Sequence, residues 1–271
     1  MEKGDDITVD EFKKRTKKWL DIDNIPKQVA ISTMTITCKM DIEFITANIQ
    51  KYLELEFGKI LAIKCKSLVR TLVHKKQKVS KKSGNFKQRE NFYNQVSLKI
   101  KIEDKPNPLN VKLFSNGSIQ MTGCKSSDNI CDSLIMIVER LKEIKAMIDP
   151  KKNKVIEKPY VNDISKLRLD NIRDFNIAMA NCNFNIKFKI NKENCIKIFK
   201  AEKYDYTYNP NSNAGLIIKY QYDEDKKISI LLFDSGSINI AGANSGDHIN
   251  KAYKFIVDFL IKNYDKIVEN N

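Results

Sequence analysis

Two stretches of the chain are one pattern written twice. Phe114 to Ile130 reads FSNGSIQMTGCKSSDNI and Phe233 to Ile249 reads FDSGSINIAGANSGDHI, aligned without a gap at an offset of 119 residues (233 − 114). Eight of the 17 positions are identical, and Gly117/Gly236 and Gly123/Gly242 both keep the offset. Solenoid units run roughly 20–50 residues, so a period of this size marks a duplicated half-domain, not a stacked array. A fold built that way carries pseudo-two-fold symmetry. A two-fold surface suits a two-fold ligand, and duplex DNA is the commonest one.

Charge points the same way. Lysine and arginine number 48 against 34 acids, a net +14, and a field of that sign favours polyanions, nucleic acid first. Other classes lose ground. No apolar run approaches the roughly 18–20 residues that a membrane span needs, and the N-terminus MEKGDDITVDEF lacks the apolar centre of a signal peptide; the expectation is an intracellular, unsecreted protein. The six cysteines contain no C-x-x-C pair and only two histidines accompany them, so no zinc-site spacing arises, and buried reduced thiols are expected. Paired carboxylates, nucleophile–base sets and phosphate-cradling loops are absent at recognisable spacing. Neither an enzyme nor a cofactor is expected.

Hydrophobic periodicity divides the chain into an arm, two repeats and a linker. Residues 1–27 read as a basic arm, with Thr8 and Glu11 as a capping box and Val9, Phe12, Trp19 and Leu20 along one helical face. Residues 28–148 form the first repeat. It holds a β-branched strand (29–38), a helix (41–55), a strand-like run (58–73), an alternating strand (95–103), two strands about the turn Asn116-Gly117, and a helix (127–147). An insertion at about 56–91 includes HKKQKVSKKSGNFKQR, His74 to Arg89, with seven lysines or arginines and no acid. A solvated loop and a phosphate-binding loop are equally open readings of it. Residues 149–171 form a polar linker, and 172–271 repeat the order strand, helix, antiparallel meander, helix. Such an order gives an α+β fold with helices on one sheet face only, leaving the other for a ligand.

The twin segments resemble the F-x-S-G-K-x-x-x-T-G-A-K-S signature found in both halves of the TATA-binding protein family. Ile31 to Ile42, ISTMTITCKMDI, resembles that family's first strand and helix start. The weak identity and the wealth of lysine, asparagine and isoleucine look most like the divergent copies encoded by large DNA viruses. The resemblance implies a saddle: two pseudo-symmetric repeats, a curved antiparallel sheet, and helices on the convex face. It also implies minor-groove binding and bending of promoter DNA by wedged phenylalanines, as a transcription initiation factor. Phe114 and Phe233 match one wedge of each pair. Tyr93, with Phe92 as the alternative, matches another, while the fourth position falls on Asn213.

With Phe114 facing DNA, strand alternation sets the rest of that face. The minor-groove face is Val29, Ile31, Thr33, Gln120 and Thr122 in the first repeat, and Ile177, Met179, Leu231, Asn239 and Ala241 in the second. Lys99, Lys101, Lys112, Lys125, Lys219, Ser118 and Ser237 are the phosphate-binding candidates. The family's central asparagines fall on Val29 and Ile177, and a slip of one residue would restore Gln28 and Asn176. The implied partners are AT-rich double-stranded DNA and a co-diverged general transcription factor or RNA polymerase. The protein is expected to be monomeric and to act in the nucleus or a viral replication compartment. A competing reading is a protein-interaction scaffold that keeps the fold and has lost sequence-specific DNA binding.

Overall fold

The computed structural model describes residues 6–73, 94–103, 105–149, 153–211 and 214–269. Phe92, Tyr93, Asn213 and the basic stretch from His74 to Arg89 lie outside these. The chain forms two units, one drawing on residues 6–16, Ile36–Cys124 and Asp128–Phe175, the other on Lys17–Thr35, Lys125–Ser127 and Asn176–Asn271.

In the first repeat β1 (Ala30–Met40) leads to a short α2 (Thr46–Tyr52), then β2 (Ile60–Cys65), β3 (Leu68–Thr71), β4 (Gln95–Ile100), β5 (Leu109–Phe114), β6 (Ser118–Cys124) and α3 (Ser127–Lys142). The strand order is β1-β6-β5-β4-β2-β3. Alternation does the folding work: Val96, Leu98, Ile100, Val111, Leu113, Ile119 and Met121 are all buried, while the residues between them are at least partly open. One face of the sheet is thus sealed in the core and the other is not. The second unit follows the same plan. β9 (Ile172–Asn185), α4 (Lys192–Ala201), β10 (Tyr206–Thr207), β11 (Leu216–Gln221), β12 (Lys227–Leu232), β13 (Ser237–Ala243), α5 (Gly246–Lys262) and α6 (Tyr264–Ile267) give the strand order β9-β13-β12-β11-β10. There α5 lies over β12 and β13.

Hydrogen bonding sets the equivalence of the repeats more firmly than composition does. The Met40 N–H donates to the Gly117 carbonyl at 3.0 Å, and the Ile186 N–H to the Gly236 carbonyl at 3.0 Å. The first strands are therefore offset by 146 residues (186 − 40), against 119 for the last strands (236 − 117). The first repeat carries the difference, 27 residues (146 − 119), between β2 and β4. Part of that excess is β3, which pairs with β2 at the sheet edge. The strand-like run 58–73 is thus two strands, turned at Lys66, whose φ is +53°.

Three other expectations shift. The helix expected over 41–55 is confined to Thr46–Tyr52, because Phe44 bridges Val161 and the Ile45 N–H donates to the Tyr160 carbonyl. The helix expected to reach 147 ends at Lys142, and Lys145–Asp149 instead forms a two-stranded ribbon, β7, with β8 (Lys154–Lys158). The polar linker is accordingly ordered structure: Tyr160, Val161, Leu167 and Leu169 are buried.

The arm is docked as well as helical. In α1 (Val9–Leu20) the Thr8 hydroxyl accepts from the Glu11 N–H and the Glu11 carboxylate accepts from the Thr8 N–H, the expected capping box. Its buried stripe is Phe12, Thr16 and Leu20, whereas Val9 and Trp19 are exposed. Phe12 lies 6.4 Å from the Phe175 ring, Lys13 pairs with Asp132 of α3 at 2.8 Å, and Arg15 donates to the Leu169 carbonyl at 3.0 Å.

Candidate nucleic-acid interface

Among the described residues each repeat presents one sheet face outside the core, and cross-strand register lines up its side chains. In the first repeat Gln95 opposes Phe114, then Ser97, Lys112 and Gln120 form one row, and Lys99, Asn110 and Thr122 the next. In the second, Ile217, Leu231, Asn239 and Asn183 form one row, and Lys219, Ser229 and Ala241 the next. Every one of these adjoins at least one core residue of its strand, as alternation requires.

Phe114 and Phe233 occupy equivalent places at the mouths of the β5–β6 and β12–β13 hairpins. Both are half-buried, and neither belongs to the core that flanks them, Leu113 and Leu232 being fully buried. The turns behind them are tight. Gly117 and Gly236 hold φ of +84° and +77°, and a Cβ on either would sit 2.2 Å from the Met40 carbonyl oxygen or 2.1 Å from that of Phe188. Glycine is required at both for backbone conformation and for close approach.

The second turn has a clamp that the sequence did not signal. Lys192 pairs with the Asp234 carboxylate at 2.9 Å, donates to the Ala214 carbonyl at 2.7 Å, and lies 5.1 Å from the Tyr208 ring. It ties the residue after Phe233 to the β10–β11 connection. Its equivalent in the first repeat is Thr46 (192 − 146). A single lysine among so many carries no mark of such a role.

Thr122 is exposed, and Ile31, Thr33, Gln120, Leu231, Asn239 and Ala241 are half-buried. Met179 is 39% exposed. Val29 and Ile177 differ from expectation. They are only 6% and 4% exposed, too enclosed to serve as an open apolar floor. Nor are they equivalent to each other: the offset of 146 pairs Ile177 with Ile31 and Val29 with Phe175. A β-branched strand leaves its register open by two residues in the sequence, and the hydrogen bonds of Met40 to Gly117 and Ile186 to Gly236 fix it. Gln28 and Asn176 are likewise two residues out of equivalence (176 − 28 = 148), although both are exposed.

Lys99 and Lys125 are exposed and Lys112 is half-buried on the open face. Lys219 donates to the Ser229 hydroxyl at 2.6 Å. Lys101 lies beyond the end of β4 and gives its ammonium to the carbonyls of Lys105 and Pro106, so a phosphate there must compete with a turn. Ser118 receives its turn from Asn116, whose side chain accepts from the Ser118 N–H at 3.1 Å. The Ser237 hydroxyl accepts from Asn185 at 3.3 Å and from Ser235 at 3.2 Å. Asn183, a polar strand position with no motif to mark it, is exposed on the open face directly beside Asn239. Its place in β9 could have been found from the alternation of Cys182 and Phe184.

No group of potential metal ligands occurs among the described residues. All six cysteines are buried and unbridged, and burial pushes the thiols of Cys124, Cys182 and Cys195 up to about 12. They stay protonated and inert at neutral pH. Among the described residues no helix is long and apolar enough to cross a membrane.

A helix-backed antiparallel sheet repeated twice, with a matched phenylalanine at each hairpin, defines a class, and comparison with known proteins gives the family. Residues 174–263 match the family described as transcription factor TFIID, or TATA-binding protein. The chain is 33% identical over 274 residues to the TATA-box-binding protein-like protein of Acanthamoeba polyphaga mimivirus, covering 93% of this chain and 69% of that one. It is 30% identical over 146 residues to TATA-box-binding protein 2 of Haloferax volcanii, covering 54% of this chain and 64% of the relative. The solved structure of Methanococcus jannaschii TBP aligns with a TM-score of 0.49 at 15% identity, over 87% of this chain and 99% of that one, a likeness too faint to add to the argument. The chain belongs to the TATA-binding protein family. It is a TBP-like transcription factor, and its family is not one of enzymes.

Proposed function

We propose that this factor binds double-stranded DNA through the open faces of both repeats, enters the minor groove, and bends the duplex at promoters. The observation that carries the reading is the pair Phe114 and Phe233. Each stands off the core at the same corner of its repeat, ahead of the open row that holds Gln120 in the first repeat and Asn239 in the second. An apolar wedge between base steps costs a few kcal/mol of unstacking, offset by the larger contact that bent DNA makes. Thr122, Gln120 and Asn239 supply donors for the acceptors that A·T pairs present there. Lys99, Lys112, Lys125 and Lys219 supply phosphate contacts, and a net charge of +14 steers the encounter. Under this reading the chain acts as a monomer, with a co-diverged initiation factor or RNA polymerase as its protein partner.

Binding to AT-rich and GC-rich duplexes across a salt series is the test. Preference for AT-rich duplex that survives rising salt is expected, since the electrostatic part of binding is blind to sequence. The burial of Val29 and Ile177 favours the competing reading, a scaffold for protein partners. Equal affinity for both duplexes at every salt concentration would select it.

A further inference from the structure

The corners that carry Phe114 and Phe233 are fastened by different means. In the first repeat Gln95 opposes Phe114, and one step further the Ser115 N–H donates to the Asn94 carbonyl at 2.9 Å. That rung carries the ladder past the phenylalanine. In the second repeat Leu216 opposes Leu232, so the register continued by two residues sets Ala214 opposite Asp234. Here the Ala214 carbonyl accepts from the Lys192 ammonium at 2.7 Å, and the same ammonium pairs with the Asp234 carboxylate at 2.9 Å. A side chain from the start of α4 stands in for a backbone rung. From the other side the Ile190 N–H donates to the Asp234 carbonyl at 3.0 Å.

The lysine is fully engaged at this corner. Its side chain is only 11% exposed. Burial pulls its pKa down, but bonds with Asp234 and Tyr208 outweigh that and raise it, so the ammonium stays charged. Asp234, Ala214 and Tyr208 together occupy the three donors of an ammonium, which leaves none for a phosphate. The pairing also neutralises an acid that would otherwise repel DNA from the residue next to Phe233. The first repeat has Thr46 and Ser115 at these positions (192 − 146; 234 − 119) and no charge to offset. Resting on the DNA-binding reading above, we infer that Lys192 is the positioning residue of Phe233: it holds the second hairpin corner in the shape that enters the duplex, without touching DNA itself.

The test is a double-mutant cycle, with affinity and bend measured on one AT-rich duplex across a salt series. Lys192→Met should reduce the bend and weaken binding about tenfold, within the range found for residues that act together. On top of Phe233→Ala the same change should cost less than about twofold, while on top of Phe114→Ala it should keep its full effect, since distant sites add. The salt slope should match the wild type, because a lost phosphate contact would flatten it by roughly 0.9. Should Lys192→Met be too unstable to measure, Asp234→Ala opens the clamp from its exposed side. Its coupling to Phe233→Ala is then read in the bend, since removing an acid beside phosphates raises affinity by itself. A full loss from Lys192→Met in the Phe233→Ala background would overturn the inference, as would a flattened slope with an unchanged bend. So would a change of bend in Asp234→Ala that persists undiminished without Phe233. A wild-type chain that leaves the duplex straight would instead overturn the reading of Phe233 as a wedge.

Discussion

At the scale of single residues, structure and ligand make separate demands. Phe114 and Phe233 are half-exposed and off the core, so Phe114→Ala and Phe233→Ala should leave the melting temperature nearly unchanged. Each should weaken DNA binding and reduce the bend measured by fluorescence energy transfer between duplex ends, because alanine cannot hold a base step open. The glycines behind them are the converse. Gly117→Ala and Gly236→Ala place a Cβ within 2.2 Å of a backbone oxygen at positive φ, which should destabilise the fold by about 1–3 kcal/mol or more. Gly242→Ala meets the same φ constraint with nothing within 4 Å, and should cost about 1 kcal/mol in chemical denaturation. The twin motif made all these positions readable from the sequence. Lys192 and Asn183 were not, since what distinguishes them is what they touch.

At the scale of elements, the helix of the arm is the clearest case of structure going beyond periodicity. The capping box was legible because it is local, three residues apart. The docking was not, because Asp132, Leu169 and Phe175 lie far away in the chain. Docking makes α1 part of the fold. Phe12→Ala should cost about 3–5 kcal/mol, as for a fully buried aromatic in a core, and Thr8→Ala about 1 kcal/mol, as for a lost cap. Urea denaturation of both variants checks this. A Phe12→Ala loss below 1 kcal/mol would mean that the arm is only loosely held. The same contrast explains the ribbon of β7 and β8 and the shortened α2. Their residues alternate poorly: β7 and β8 are fixed by pairing with each other, and the start of α2 by the distant Tyr160 and Val161.

At the scale of the whole molecule, charge and topology were legible together. The duplication, the repeated order of elements and the sealed face follow from patterns of two and of 119 residues. The register of the first strands did not, since a run of β-branched residues fits a neighbour equally well two residues along. The basic stretch from His74 to Arg89 lies outside the described residues, and a role for it is a proposal: contacts with phosphates flanking the site. Replacing Lys75 to Arg89 with a short Gly-Ser linker should flatten the log–log salt slope of DNA binding by about 2–3, at roughly 0.9 per phosphate. Sequence preference should hardly move. An unchanged slope would turn attention to a protein target for that stretch.

The two offsets also bear on the order in which the chain was assembled. From the first strand to the long closing helix the repeats follow one order of elements outside the β2–β4 connection, and the extra 27 residues stand in one copy alone (146 − 119). Doubling a short ancestor and then lengthening one copy needs two events. Lengthening first would have given both copies the excess and required a later deletion from the second. By the shorter history the ancestor was a compact half that worked as a pair of itself. The segment that ends in the basic stretch is then the younger acquisition, added after the halves were free to diverge.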